Sequence, residues 1–383
     1  NVLYKVGSKH ENQERTGLAH LMEHLMFAGS KNVPDYDGAL QHAGGTNNAW
    51  TNEDMTNYYD ILPAQNIETA FWVESDRLLN LRLSEENVEI QKSVVSEEFK
   101  QHYLNRPYGD VPHLVRDMAY TQHPYKWPVI GVDLSHIENV SREEVLDFYH
   151  NNYSVDNMIM CVSGNIDEDK ALKLAEKWFG DILPRKVKPL VAVEEPKQAI
   201  YREKKVVRPC PSKLIIRAYH IPGRKCVGYK YCDLLTDVLA NGNSSRFYQN
   251  VMLKSDAFSE LDASVNNLID TSLLIIKAKL NNDVEYAEAE SIIDKELNNL
   301  FNTPITQYEI DKYVNKYISR YSFENSCDGE IAEKLCIMEY LGSASDINKE
   351  YDEYRVLTTE QVVMSAQKYL QKNNCSNLYY GNE

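Results

Sequence analysis

An α+β fold built twice is what the sequence predicts: two similar domains, each a mostly antiparallel sheet covered by helices. Three observations predict it. At 383 residues the chain is long enough for two or three domains, each with its own core. Residues 184–198 are rich in Lys, Pro and Glu, show little hydrophobic periodicity and read as a linker. On each side of that linker the pattern strand, helix, two strands, helices occurs, which implies an internal duplication. The expected domains are residues 1–190 and 191–383.

Each element rests on local chemistry. The run Val-Leu-Tyr-Lys-Val at 2–6 is strand-like, and a polar loop follows to Thr16. Ala, Leu and Met then favour a helix, which Gly29-Ser30 stops. Residues 35–41 suit a short helix ended by Ala43-Gly44-Gly45, and Asn48-Ala49-Trp50-Thr51 and residues 55–62 are extended, with Thr, Tyr and Trp abundant. Residues 67–81 form a helix with Ala70, Phe71, Val73, Leu78 and Leu79 as its apolar stripe. Ser84 N-caps the next helix, which runs to about Gln101 with Glu85 and Glu86 in its positive first turn. Prolines punctuate loops at 105–109 and 123–128. Ser141-Arg142-Glu143-Glu144 is a capping box opening a helix to about Tyr149. A strand at 158–162, a turn at Gly164 and a helix at 168–179 complete the first half.

Beyond the linker the order restarts. Residues 213–219 are a strand, and residues 229–239 an apolar helix ended by Asn241-Gly242-Asn243. Strands at 261–265 and 272–280 and a long amphipathic helix at 286–301 follow. Two or three further helices reach Lys372, and a last strand spans 377–380.

Composition narrows the function classes. Hydrophobic residues make up 43% and charged residues 26%, as in ordinary globular proteins. No apolar run approaches the roughly 18 residues of a membrane helix. A net charge of −16 disfavours nucleic acid and anionic membranes as partners. Seven cysteines, an odd number without a Cys-x-x-Cys pair, argue against a disulfide framework and a cysteine zinc knuckle. A reducing, cytoplasmic location is the expectation, or a periplasmic or organellar one if a targeting segment precedes residue 1.

The chemistry concentrates at His20-Leu21-Met22-Glu23-His24. On a helix, residues i and i+4 share a face, so His20 and His24 project side by side and can fill two corners of a tetrahedral Zn²⁺ site. Glu23 lies within reach of a metal-activated water as general base. This is His-x-x-Glu-His, the inverted zinc peptidase signature. The plain alternative is an amphipathic helix that happens to carry these residues, and a third ligand decides between them. Val94-Val95-Ser96-Glu97-Glu98-Phe99 is the richest source. Glu98 continues a stripe of Ile90, Val94 and Val95, whereas Glu97 turns toward Ser93 and solvent. Gln91, seven residues before Glu98 on the same face, is placed to hold a ligand by hydrogen bond.

These motifs resemble those of the pitrilysin family of zinc peptidases, above all its mitochondrial processing peptidase-like bacterial members. The resemblance spans the chain. It includes Gly17 to His24, Gly44-Gly45-Thr46-Asn47-Asn48-Ala49-Trp50-Thr51, Thr56-Asn57-Tyr58-Tyr59, the Glu97-Glu98 helix, Asn105-Arg106-Pro107-Tyr108-Gly109 and Ser244-Ser245-Arg246-Phe247-Tyr248. It implies a zinc endopeptidase that hydrolyses peptides or unfolded segments in an enclosed chamber. His20, His24 and Glu98 would bind zinc, with Glu97 as the alternative third ligand, and Glu23 would be the base. Gln91 stands where relatives often have a second glutamate. Substrate would add as a strand along Asn48, Ala49 and Trp50.

The family's second domain usually supplies an Arg and, seven residues later, a Tyr. Here Met252 and Ser259 stand at those positions, and neither replaces an oxyanion-stabilising cation and phenol. Arg246 nearby reads as a helix-surface charge. The resemblance therefore implies a heterodimer in which a zinc-less homologous subunit supplies Arg and Tyr, with a homodimer as the other arrangement. A non-catalytic scaffold subunit of the same fold is the competing function.

Overall fold

The computed structural model of the chain describes residues 1–382. Its first stretch forms β1 (Val2–Tyr4), α1 (Leu18–Leu25), α2 (Tyr36–His42), β2 (Thr46–Thr51), β3 (Thr56–Ile61), α3 (Ile67–Asn80) and α4 (Glu85–Phe99). There follow α5 (Val111–Ala119), α6 (Leu134–Glu138), α7 (Arg142–Asn152), β4 (Met158–Met160) and α8 (Glu168–Phe179). After a stretch without regular structure come β5 (Arg202–Val207), β6 (Leu214–Pro222), α9 (Val227–Ala240), β7 (Phe258–Val265), β8 (Thr271–Leu280) and α10 (Tyr286–Asn302). Finally α11 (Gln307–Glu324), α12 (Asp328–Leu341), α13 (Glu350–Arg355) and α14 (Thr359–Tyr369) precede β9 (Cys375–Gly381).

Two sheets carry the chain. The first has the order β2-β3-β1-β4 and is antiparallel throughout; the second has the order β5-β9-β6-β8-β7 and is antiparallel except for β5 on β9. Removing β5 leaves β7-β8-β6-β9, the same arrangement as the first sheet with β1, β2, β3 and β4 replaced by β6, β7, β8 and β9. In both sheets the first strand is followed by a helix, α1 or α9, that packs on the strand coming next. The duplication expected from sequence is therefore a duplication of topology. Tyr231 to Asp237 on α9 contain no His-x-x-Glu-His.

The chain divides into two compact units, and the division is not a single cut. Residues 1–104, 127–193 and 323–347 form the first unit; residues 105–126, 194–322 and those from 348 onward form the second. The main crossover, between 193 and 194, lies inside the expected linker. Two further segments are exchanged: α5 joins the second unit and α12 the first. No helix is long and apolar enough to cross a membrane among the described residues.

The helix ends follow the expected caps. Ser84 Oγ accepts from Asn87 N–H at 3.2 Å, and Ser141 and Glu144 bond reciprocally as a capping box. In α3 the stripe is narrower than expected: Phe71, Val73 and Leu78 are buried, whereas Leu79 is exposed. Its other buried positions are polar. Arg77 is 1% exposed, and its Nε donates to Glu74 Oε2 at 2.8 Å and its Nη2 to Glu74 Oε1 at 2.5 Å. The guanidinium also lies 4.7 Å from the Tyr36 ring and 4.3 Å from that of Tyr58, so aromatic faces replace water around the charge. This cluster ties α3 to α2 and β3.

Candidate metal centre

α1 is positioned by its start. Gly17 adopts a left-handed φ of 94°, and a Cβ there would come within 2.4 Å of Ile137 Cδ1, so only glycine fits. Buried Glu11 accepts from Gly17 N–H and Ala19 N–H, both at 2.8 Å, so its carboxyl group caps the helix start; burial raises its affinity for protons against the effect of these two bonds. Leu18, Leu21, Met22 and Leu25 turn into the core. At about 100° per residue, His20, Glu23 and His24 fall on the opposite face, which is how the sequence aims all three together.

α4 brings the third group. Glu98 Oε2 lies 3.7 Å from His20 Nε2 and 3.5 Å from His24 Nε2. Among the described residues these three are the set whose donor atoms converge, all within 4.8 Å. A tetrahedral zinc with bonds of ~2.0–2.1 Å holds its ligand atoms roughly 3.4 Å apart, so the spacing suits that ion. Burial and the neighbouring His24 pull His20 down to about 4 against the opposing effect of Glu98, leaving a neutral ring at pH 7. Hydrogen bonding to His24 holds the Glu98 carboxyl below its usual range despite partial burial. Neutral imidazoles and an ionised carboxylate are the forms a metal needs.

Glu98 does not continue a buried stripe of Ile90, Val94 and Val95. Ile90 and Val94 are exposed, and the buried side of α4 is Val88, Lys92, Val95, Ser96 and Phe99. Glu98 sits at the margin of that stripe, about a quarter turn from Phe99. Glu97 points away and pairs with Lys100 at 2.7 Å. Gln91 makes no hydrogen bond to His20, His24 or Glu98 among the described residues. Seven helical residues span ~10.5 Å, more than an amide reaches. His20 Nδ1 is buried without a partner.

Glu23 is half-buried, and burial raises its carboxyl, with a hydrogen bond from Thr51 opposing. Thr51 Oγ1 donates to Glu23 Oε2 and thereby joins the end of β2 to the motif helix. Sequence reasoning assigned no role to Thr51 or Glu11. Thr51 had a signal, its place directly after Asn48-Ala49-Trp50; Glu11 lay in an unpatterned loop. β2 is the outer strand of its sheet, so one edge is open. There the exposed Asn48 holds the Ala49 N–H through Oδ1 at 2.9 Å. Trp50 is half-buried, and its Nε1 donates to Glu333 on α12 at 3.4 Å.

In the second unit Met252 packs against the core and Ser259 Oγ donates to Lys279 O at 3.3 Å. Arg246 is not a surface charge. It is 8% exposed, and its Nε and Nη2 donate to Glu309 at 2.8 and 3.1 Å while its Nη1 donates to Thr303 O. Burial pushes Glu309 up, but the bonds from Arg246 and Thr306 outweigh it and bring the carboxyl down to about 2. The folded value lies below the unfolded one of about 4.3. The stabilisation is therefore complete above the unfolded value and is lost as pH falls toward about 2. Glu309→Gln is expected to cost about 1–2 kcal/mol at pH 7 in denaturant unfolding, with the gap from wild type narrowing below pH 4.

Comparison with known proteins decides the family. Residues 1–132 match insulinase (peptidase family M16), and residues 139–317 match the peptidase M16 inactive domain. The chain belongs to the M16 (pitrilysin) family. Among M16 relatives, zinc protease PqqE of Helicobacter pylori is 26% identical over 388 residues, covering 99% of this chain and 86% of that protein. A probable mitochondrial-processing peptidase subunit beta of Schizosaccharomyces pombe is 32% identical over 182 residues, 46% of this chain and 39% of that one. The crystal structure of a protease from Helicobacter pylori superposes with a TM-score of 0.93 at 24% identity, covering 99% and 92% of the two chains. This likeness speaks for the fold.

Proposed function

We propose that the chain is a zinc-dependent endopeptidase and the catalytic subunit of a two-part enzyme, acting on peptides or unfolded segments in an enclosed chamber. The observation that carries this reading is the convergence of His20, His24 and Glu98 with Glu23 one residue before His24. His20 and His24 through Nε2, and Glu98 through Oε2, would hold the ion. When bound, zinc acidifies water and polarises a carbonyl. Glu23 takes the proton of the attacking water and delivers it to the leaving amine, and its raised affinity for protons suits both steps. Thr51 fixes the other oxygen of that carboxylate.

The substrate would add along β2, where main-chain bonds hold an extended peptide without demanding a sequence. Asn48 Oδ1 on the Ala49 N–H marks the place a substrate carbonyl would take. Met252 and Ser259 offer no charge or phenol to an oxyanion, so a homologous partner supplying Arg and Tyr fits this chain best. The test is zinc content together with cleavage of an unfolded polypeptide. Stoichiometric zinc is expected, with cleavage lost on chelation, restored by zinc and raised by a partner co-purified from the native source. Zinc-free protein that cleaves nothing with its partner present would instead establish the scaffold role.

A further inference from the structure

All seven cysteines are free thiols, and two of them, Cys161 and Cys336, lie together in the first unit. Cys161 directly follows β4, and Cys336 lies on α12. The backbone beside Cys161 is fixed on both sides: its N–H donates to Asn1 O at 2.9 Å, and its carbonyl accepts from Asn1 N at 3.0 Å. Cys336 is fully buried, with Sγ 3.6 Å from Ile159 O and 4.0 Å from Asn1 O. Asn1 O thus lies beside both residues, 2.9 Å from Cys161 N and 4.0 Å from Cys336 Sγ, and Ile159, two residues before Cys161 on the same side of the strand, is the other neighbour of Cys336 Sγ.

Their surroundings divide the labour. Cys161 is half-buried and lines a cavity of about 300 Å³, together with Asp60, Phe71, Ile166 and Ala332. A small polar molecule entering that cavity meets Cys161 first, and Cys336 is sealed behind it. The hydrogen bond from Cys336 outweighs burial and brings the Cys161 thiol down to about 7, whereas Cys336 is driven far up. One sulfur is thus a ready nucleophile and the other a protonated neighbour.

We propose that Cys161 and Cys336 form a peroxide-reactive dithiol that closes to a disulfide. The Cys161 thiolate attacks one oxygen of hydrogen peroxide; the S–O bond forms, the O–O bond breaks and hydroxide leaves, giving a sulfenic acid. The Cys336 thiol gives its proton to that hydroxide, and its sulfur attacks Cys161. The S–S bond forms, the S–O bond breaks and the departing hydroxyl takes a proton from solvent to leave as water. Two sulfurs are oxidised by one peroxide, which ends as two waters. The disulfide pins α12 to β4. Glu333, one turn before Cys336 on the same helix, holds Trp50 of β2, so oxidation acts on a helix that touches the open sheet edge.

The test uses the full chain, reduced and then exposed to hydrogen peroxide, with peptide mapping after alkylation. The expected product joins the peptides carrying Cys161 and Cys336 with a loss of about 2 Da, and dithiothreitol reverses it. Cys336→Ser is expected to lose the cross-link and to trap dimedone at Cys161. Two results would overturn the proposal: both thiols alkylating fully after peroxide while the exposed Cys226 and Cys327 are oxidised, or Cys161 pairing with a different cysteine. The wild-type map alone decides this, whether or not the serine variant folds.

Discussion

Glu23→Gln retains stoichiometric zinc and loses about 10²–10⁴-fold in kcat; this is the largest catalytic effect expected of a single atom change in the chain. The amide is the same size as the carboxylate, and its oxygen still accepts from Thr51 Oγ1, so the side chain stays where it is. What disappears is the ability to take a proton. His24→Ala is the contrasting control, because it removes a ligand and is expected to lose zinc and activity together. Elemental analysis and peptide cleavage on the same preparations separate the two. Unchanged turnover in Glu23→Gln would sink the assignment of the base.

The largest stability effect is expected in the Arg77 cluster. Glu74→Ala leaves the buried guanidinium without its hydrogen-bonded carboxylate, with Asp60 the acidic group that remains near it, and removing one partner of such a pair costs about 3–5 kcal/mol. The aromatic rings of Tyr36 and Tyr58 offset only part of this, since each contact contributes about 0.5–2 kcal/mol. Replacing both residues by leucine removes the stranded charge and is expected to cost less than Glu74→Ala alone. Urea unfolding of the three proteins orders them. A double variant weaker than Glu74→Ala would mean that the cluster contributes shape and hydrogen bonds beyond its charges.

Legibility from sequence tracked how local the determining physics is. The spacing of His20 and His24, the caps at Ser84 and Ser141 and the helix at 168–179 all depend on neighbours within one or two turns, and each is present in the structure. Misjudgements arose where the burying partner is distant. Ile90 and Val94 are apolar but exposed, because α4 turns Val88, Val95 and Phe99 inward. β5 escaped notice because Arg202, Glu203, Lys204 and Lys205 give it no apolar alternation, as suits a charged outer strand. α5 was hidden by Pro112, which a first helical turn tolerates because its N–H groups have no helical partner. At the site, the side-by-side placement of His20 and His24 was legible from helical period, whereas Glu98 was not, because Ile90 and Val94 of the stripe offered for it face solvent. Thr51 and Glu11 were not, since their partners lie on other elements.

The placement of α12 has a consequence for how the molecule comes into being. Residues 323–347 belong to the first unit but are synthesised only after all of 194–322. Vectorial synthesis therefore cannot finish the half that carries His20, His24 and Glu98 before starting the other; the nascent first half waits, one layer short, while its successor emerges. That inverts the usual order of domain completion. It also means that a cut through the linker near residue 193 yields two incomplete pieces, so the gene offers no simple joint at which the two halves could be separated or shuffled.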